Sequence, residues 1–298
     1  MNAIALLNLF CQAQTAMERS PRTVLWYREQ VLRFFRWLEA ENLHSQNWLR
    51  PEVVEQYLVH SRKQSGNAPA TVAGHFRALK GFFRWLVERG YIGDSPMKLL
   101  RSPHVPKREP GGVAVEEFAT LVDSIPLSTW VDFRDKLLVQ VLFLTGIRLG
   151  ECARLSVADF RVQQHLLKVD GKTGPRLTPL LPAVERAFVA YLFVRPEAAE
   201  ERLFLAANGG GKAAGAIQEK GIYLMLRRRC ARAGLRMLNP HSFRHGLAMY
   251  LLNEGGDASL VQRVLGHAQI STTMGFYADW VLDGLSREFA EKMKGLGT

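Results

Sequence analysis

The pentapeptide Phe-Phe-Arg-Trp-Leu occurs twice, at 34–38 and at 82–86, each copy following a Thr-Val pair (Thr23-Val24 and Thr71-Val72) at the same interval, so the copies stand 48 residues apart. Aromatic and aliphatic residues at helical spacing need a partner face, and two copies are too few for a solenoid. The repeat therefore predicts two equivalent amphipathic helices that share one core. Pro21, Pro51 and Pro69 each stand where a helical pattern opens, as suits a residue tolerated at the first helical position. Helices are expected near 21–41, 51–64 and 69–89, with another near 2–17 completing an all-helical domain of roughly 100 residues, a common domain size. Arg22, Arg28, Arg33, Arg62, Lys63, Arg77, Lys80 and Arg84 give it a surface suited to phosphates, although an ordinary solvated face accounts equally well for any single one of them.

The stretch from Ser102 to Gly112 holds three prolines and two glycines beside Lys107 and Arg108, the composition of an extended basic connector. The expected organisation is a helical domain at 1–103, a linker at 104–112 and a second domain at 113–298. Over the whole chain Lys and Arg outnumber Asp and Glu by 39 to 28. The first 103 residues carry 14 basic and 8 acidic side chains and the remainder 25 and 20. Both parts are basic, which favours a polyanion such as nucleic acid contacted by both, against the plainer reading of a merely basic enzyme.

Cys11, Cys152 and Cys230 are widely spaced and form no CxxC pair, so neither a disulfide framework nor a thiolate zinc site is expected. The first residues lack a basic region of the secretory kind, and the apolar run from Leu137 to Ile147 is too short for a bilayer. A cytoplasmic protein without a membrane anchor is the expectation.

Four segments of the second half carry chemistry. In Thr145-Gly146-Ile147-Arg148-Leu149-Gly150-Glu151, a helix would set Arg148 and Glu151 on one face, where the carboxylate orients the guanidinium; alone, such a pair is usually structural. Phe160 to Val169 and Arg176 to Leu180 read as strands that leave Gly171-Lys172-Thr173-Gly174 at a hairpin tip. Gly-Lys-Thr has a superficial likeness to a phosphate-binding loop, but the first glycine of that pattern is missing and no helix follows. His241-Ser242-Phe243-Arg244-His245 opens a helix running to about Glu254. His241 and His245 have the spacing of two zinc ligands, yet Ser242 stands where a zinc hydrolase carries its glutamate and no third ligand is evident. Finally, Leu265-Gly266-His267 leads into Ser271-Thr272-Thr273-Met274-Gly275-Phe276-Tyr277; a tyrosine taken singly is more often core than catalyst.

In that order, these segments resemble the tyrosine recombinase (phage integrase) family, in particular its compact Xer-like members, over the whole catalytic half and more weakly over the N-terminal half. The resemblance implies a mainly α fold with a small β-sheet in the catalytic domain (α+β), built as a two-domain DNA clamp with a helical, SAM-like core-binding domain. It implies Arg148 and Arg244 as clamp on the scissile phosphate, His241 and His267 as further phosphate-site residues, Lys172 as proton donor to the leaving 5′-hydroxyl and Tyr277 as nucleophile. Glu151 matches a supporting acid and His245 a packing residue. The interval from His267 to Tyr277 is one residue longer than is usual in the family, which puts Phe276 at the nominal nucleophile position; a helix turns about 100 degrees per residue, so a bulge or a shifted helix start is needed to present Tyr277.

Those residue types suit the chemistry. Two guanidiniums neutralise the charge that gathers on a phosphodiester under attack, and their field favours the phenolate of a tyrosine that is otherwise scarcely ionised at neutral pH. Transfer to tyrosine conserves a phosphodiester, so neither ATP, cofactor nor metal is expected. Double-stranded DNA with specific recombination sites is the implied partner, bound by a homotetramer on paired sites, with a related recombinase or accessory protein as a further partner. Residues 281–294 read as an amphipathic helix that the resemblance would dock onto a neighbouring protomer. Two other functions fit part of the pattern: relaxation of supercoils in the manner of a type IB topoisomerase, and DNA binding by a catalytically degenerate protein.

Overall fold

The computed structural model describes residues 2–43, 47–106, 111–171 and 174–266. The chain divides into two compact units, Met1–Arg108 and Glu109–Thr298.

The N-terminal unit contains α1 (Ala3–Ala16), α2 (Pro21–Ala40), α3 (Pro51–Lys63) and α4 (Pro69–Glu88). Pro21, Pro51 and Pro69 occupy the first turns of α2, α3 and α4, and the Ser20 hydroxyl accepts from the Thr23 amide at 3.2 Å to cap α2. The repeated pentapeptides meet as α2 and α4 pack. Phe34 lies against Phe83, with ring centroids 6.4 Å apart, and Phe35 against Phe82 at 5.9 Å, both edge to face. The first aromatic of each copy thus meets the second of the other, and Phe34, Phe35, Phe82 and Phe83 are all buried in one core. Edge-to-face pairs of this kind add about 1 kcal/mol each beyond burial itself.

The second unit contains α5 (Val115–Asp123), α6 (Trp130–Leu144), α7 (Leu149–Arg154), β1 (Phe160–Arg161), β2 (Leu166–Gly171), β3 (Gly174–Pro179), α8 (Pro182–Val194), β4 (Leu205–Ala207), β5 (Ala213–Ala216), α9 (Glu219–Arg232), α10 (Pro240–Asn253) and α11 (Ala258–Leu265). The apolar run beginning at Leu137 is the middle of its core: α6 buries Leu137, Leu138, Val139, Val141 and Leu142 around most of its circumference. No helix among the described residues is long and apolar enough to cross a membrane. The α6–α9 contact carries buried charge, with Arg229 donating to Asp132 at 2.6 Å and to Asp135 at 2.8 Å, and Arg134 donating to Asp135 at 2.6 Å.

β1, β2 and β3 form an antiparallel sheet in that order, and β4 pairs with β5. The segment expected as one strand from Phe160 to Val169 is instead a tight hairpin. Val162–Gln164 makes a 3-10 turn, His165 takes a left-handed conformation at φ 55, and β2 folds back so that Phe160 pairs with Leu167. Apolar alternation continues on both sides of Gln163-Gln164-His165, so it cannot report the turn between them.

A close backbone crossing seats α10. The Val113 amide donates to the Ser242 carbonyl at 2.9 Å, and a Cβ added to Gly246 would fall 2.2 Å from the Val113 carbonyl oxygen. Two backbones cannot yield as a side chain does. Gly246→Ala is therefore expected to cost about 3 kcal/mol, the upper end for overpacking, read as a lower urea midpoint; an unchanged midpoint would show that the crossing can open freely.

Candidate active site

Gly146 organises the site. It takes φ +60 at the end of α6, and a Cβ there would lie 2.4 Å from Leu265 of α11 and 3.0 Å from Leu247 of α10. The turn that delivers Arg148 is thus packed against α10 and α11. Arg244, buried in the second turn of α10, donates from Nη1 to the Gly146 carbonyl at 2.7 Å. That bond ties its guanidinium to the backbone two residues before Arg148.

Arg148 is not within a helix, as its spacing from Glu151 had led us to expect, but caps one: it is extended (φ −73, ψ 151), and α7 begins at Leu149. Glu151, the third residue of α7, turns back to accept from the Arg148 amide at 2.9 Å and from Arg148 Nη1 at 3.0 Å. This is half of a capping box with the arginine's own charge added. The Arg148 side chain remains 41% exposed while that of Glu151 is 3% exposed, so the guanidinium is held from beneath and reaches outward.

The second partner of Glu151 was not anticipated. Arg176 of β3 donates to it from Nη1 at 3.0 Å and from Nη2 at 2.7 Å, a two-pronged pair. Four N–H groups thereby fill the acceptor capacity of one carboxylate. Burial alone would raise the Glu151 pKa; the hydrogen bonds from Arg176 and Arg148 and the Arg176 charge outweigh it and hold the group at about 2. A signal existed in the strand: Arg176 pairs in register with buried Val169 and alternates with buried Thr178, so it faces inward, where a cation requires a partner.

Arg176 also supports α11. Gly266 caps that helix at φ +65, and a Cβ on it would fall 2.5 Å from Arg176 Cδ; the Thr178 hydroxyl donates to the Val264 carbonyl at 3.2 Å. The backbone immediately before His267 consequently rests on the side chain that holds Glu151. Burial, with the charges of His241 and Arg244 adding to it, pushes the half-buried His245 below the usual histidine range, while His241 is exposed on the first turn of α10.

Of the residues singled out in the sequence, Arg148, Glu151 and Arg244 are thus joined through Gly146 and the α7 cap. β2 and β3 pair as far as Gly171 and Gly174, which leaves Lys172 and Thr173 to connect them. Lys172, His267, Tyr277 and the helix expected at 281–294 lie outside the described residues.

Comparison with known proteins agrees with this architecture. Residues 115–280 match the phage integrase family, a stretch that includes Arg148, Lys172, His241, Arg244, His267 and Tyr277, and residues 10–90 match its N-terminal SAM-like domain. The tyrosine recombinase XerD of Corynebacterium glutamicum is 30% identical over 273 residues, covering 87% of this chain and 88% of the relative. XerC of Anoxybacillus flavithermus is 30% identical over 280 residues, 90% of each chain. Among solved structures, XerH bound to a palindromic difH substrate has a TM-score of 0.75 at 23% identity, over 97% of this chain and 84% of that one, and so shares the fold. The paired domains, the segment order and this identity over nearly the full length lead to one conclusion: the chain belongs to the phage integrase family of tyrosine recombinases, enzymes that cut and rejoin DNA.

Proposed function

We propose that this protein exchanges strands between two specific duplex sites through a 3′-phosphotyrosyl intermediate formed by Tyr277. The observation that carries the reading is the Arg244 bond to Gly146, which fastens one guanidinium to the turn that presents another, Arg148. Two guanidiniums so held neutralise the non-bridging oxygens of a phosphodiester as charge develops there, without rearranging to do so. Arg148 lends its outer N–H groups to the phosphate because Glu151 occupies the inner ones.

In this scheme His241, on the first turn of α10, and His267, after Gly266, donate further hydrogen bonds to the phosphate, and Lys172 protonates the departing 5′-hydroxyl. The hydroxyl leaves, phosphate stays on Tyr277, and attack by a 5′-hydroxyl of the other duplex reverses the step with no ATP or metal. Residues 1–103 serve as a core-binding domain and 113–298 as the catalytic domain, joined by a linker at 104–112. Double-stranded DNA is bound by both, with four protomers on paired sites linked through 281–294, in the cytoplasm.

The test is a set of nicked duplexes tiled from DNA flanking the gene, in which cleavage releases a short fragment and traps the intermediate. In the presence of a chelator the wild type is expected to form a denaturant-resistant adduct on one of them. Binding without an adduct on any would overturn the catalytic reading.

A further inference from the structure

In the N-terminal unit, α2, α3, α4 and the turn between the last two line an open polar cavity of about 350 Å3. None of the described residues that line it is a carboxylate. Arg33 and Arg36, about one turn apart on α2, stand exposed at its mouth and make no hydrogen bond or ion pair with a described residue. Arg176 and Arg229, which hold the second unit together, are paired with carboxylates; Arg33 and Arg36 are not paired with a described one.

At the base lies His75, 3% exposed. Its Nδ1 is 3.1 Å from the Ser61 hydroxyl and 3.3 Å from the Tyr57 hydroxyl, and Ser61 also accepts from Asn67 Nδ2 at 3.0 Å. Neither hydroxyl has another acceptor among the described residues, so Nδ1, with its single lone pair, accepts from one of them. The imidazole proton is then on Nε2, which makes no hydrogen bond with a described residue. Burial, and then the Arg33 charge, lower the His75 pKa below the usual histidine value, so the ring is a neutral N–H donor under two unpaired guanidiniums.

We propose that this cavity binds a phosphate group, with Arg33 and Arg36 supplying charge from α2 and His75 Nε2 donating from α4. Donors arriving from separate helices suit a tetrahedral oxyanion, whose oxygens diverge, better than a planar carboxylate, which one guanidinium satisfies alone. The phosphate comes either from a DNA backbone, in which case the site rests on the DNA-binding reading above, or from free phosphate, in which case it does not.

Two measurements on the full chain separate these sources. Inorganic phosphate is titrated at constant ionic strength while the His75 imidazole is followed by NMR, and affinity for a short duplex of arbitrary sequence is measured against salt. Arg33→Gln/Arg36→Gln alters only exposed positions, and circular dichroism checks its fold. The wild-type His75 signals are expected to move with phosphate and those of the double variant to stay. A backbone phosphate in the cavity makes the salt slope of the double variant shallower by roughly 0.9, the value for one phosphate on duplex DNA; an unchanged slope identifies free phosphate. Wild-type signals that ignore phosphate, or variant signals that still respond, overturn the site, even if the slope falls, since surface arginines alone would explain that. Adduct formation by Tyr277 is read separately, so failure of the catalytic reading cannot be mistaken for failure here.

Discussion

Tyr277→Phe is expected to abolish the adduct on nicked duplex DNA while leaving duplex affinity unchanged. Removing the attacking oxygen of a covalent mechanism lowers turnover by on the order of 10^5 or more, which in a trapping experiment is a complete loss. The informative comparison is Phe276→Leu. Phe276 stands at the position the family's usual spacing would assign to the nucleophile, but a phenyl ring has no atom that can attack phosphorus. In the mechanism proposed above it is the phenol of Tyr277 that attacks. Phe276→Leu should therefore retain the adduct, since it removes bulk and no reacting atom. An adduct that survives Tyr277→Phe would move the nucleophile to another residue; equal loss in both variants would mean that packing in this segment, not the phenol, limits the reaction.

Much of the architecture was readable because the signals are local. The paired pentapeptides and the three helix-opening prolines depend on residues within a few positions of one another, and α2, α3 and α4 begin at those prolines. The pairing of Phe34 with Phe83 and of Phe35 with Phe82 then follows from two equivalent apolar faces that each need a partner, with Phe10, Trp48 and Tyr57 completing the cover. Arg148 and Glu151 were visible for the same reason, although the capping geometry that joins them was not: spacing of three places both residues on one face whether the first lies inside a helix or caps it.

The rest depends on distant partners. Arg176 holds Glu151 from 25 positions away and Arg229 holds Asp132 from 97, and no pattern along the chain pairs one arginine with one carboxylate among many. The cavity under Arg33 likewise needs His75 from another helix, so the sequence showed a basic face but not the imidazole beneath it. Glycine is ambiguous in a similar way. Gly146 and Gly246 look alike in the sequence, but one is required by its positive φ and the other by a backbone that passes 2.2 Å from the place of its missing Cβ.

Glu151 joins fold and chemistry, and removing it is expected to damage both. In Glu151→Ala the Arg176 guanidinium, with its side chain 15% exposed, stays in place without its carboxylate. Stranding one partner of a buried pair costs about 3 to 5 kcal/mol, which should appear as a large drop in the urea midpoint at neutral pH. Glu151→Gln keeps the volume and one acceptor oxygen but sets an amide N–H2 against the N–H groups of Arg148 and Arg176, so it should lose less stability and still cleave poorly. Acid separates charge from shape. The folded-state pKa of about 2 lies below the ordinary glutamate value of 4.5, so the contribution of this carboxylate is fully present above the unfolded pKa and is lost as pH falls from there through the folded value. Wild type should lose stability across that window, and the Gln variant should lose less, because its amide does not titrate. Parallel acid profiles would show that other carboxylates govern acid unfolding. A Gln variant that cleaves at the wild-type rate would mean that Arg148 finds the phosphate without being held by Glu151.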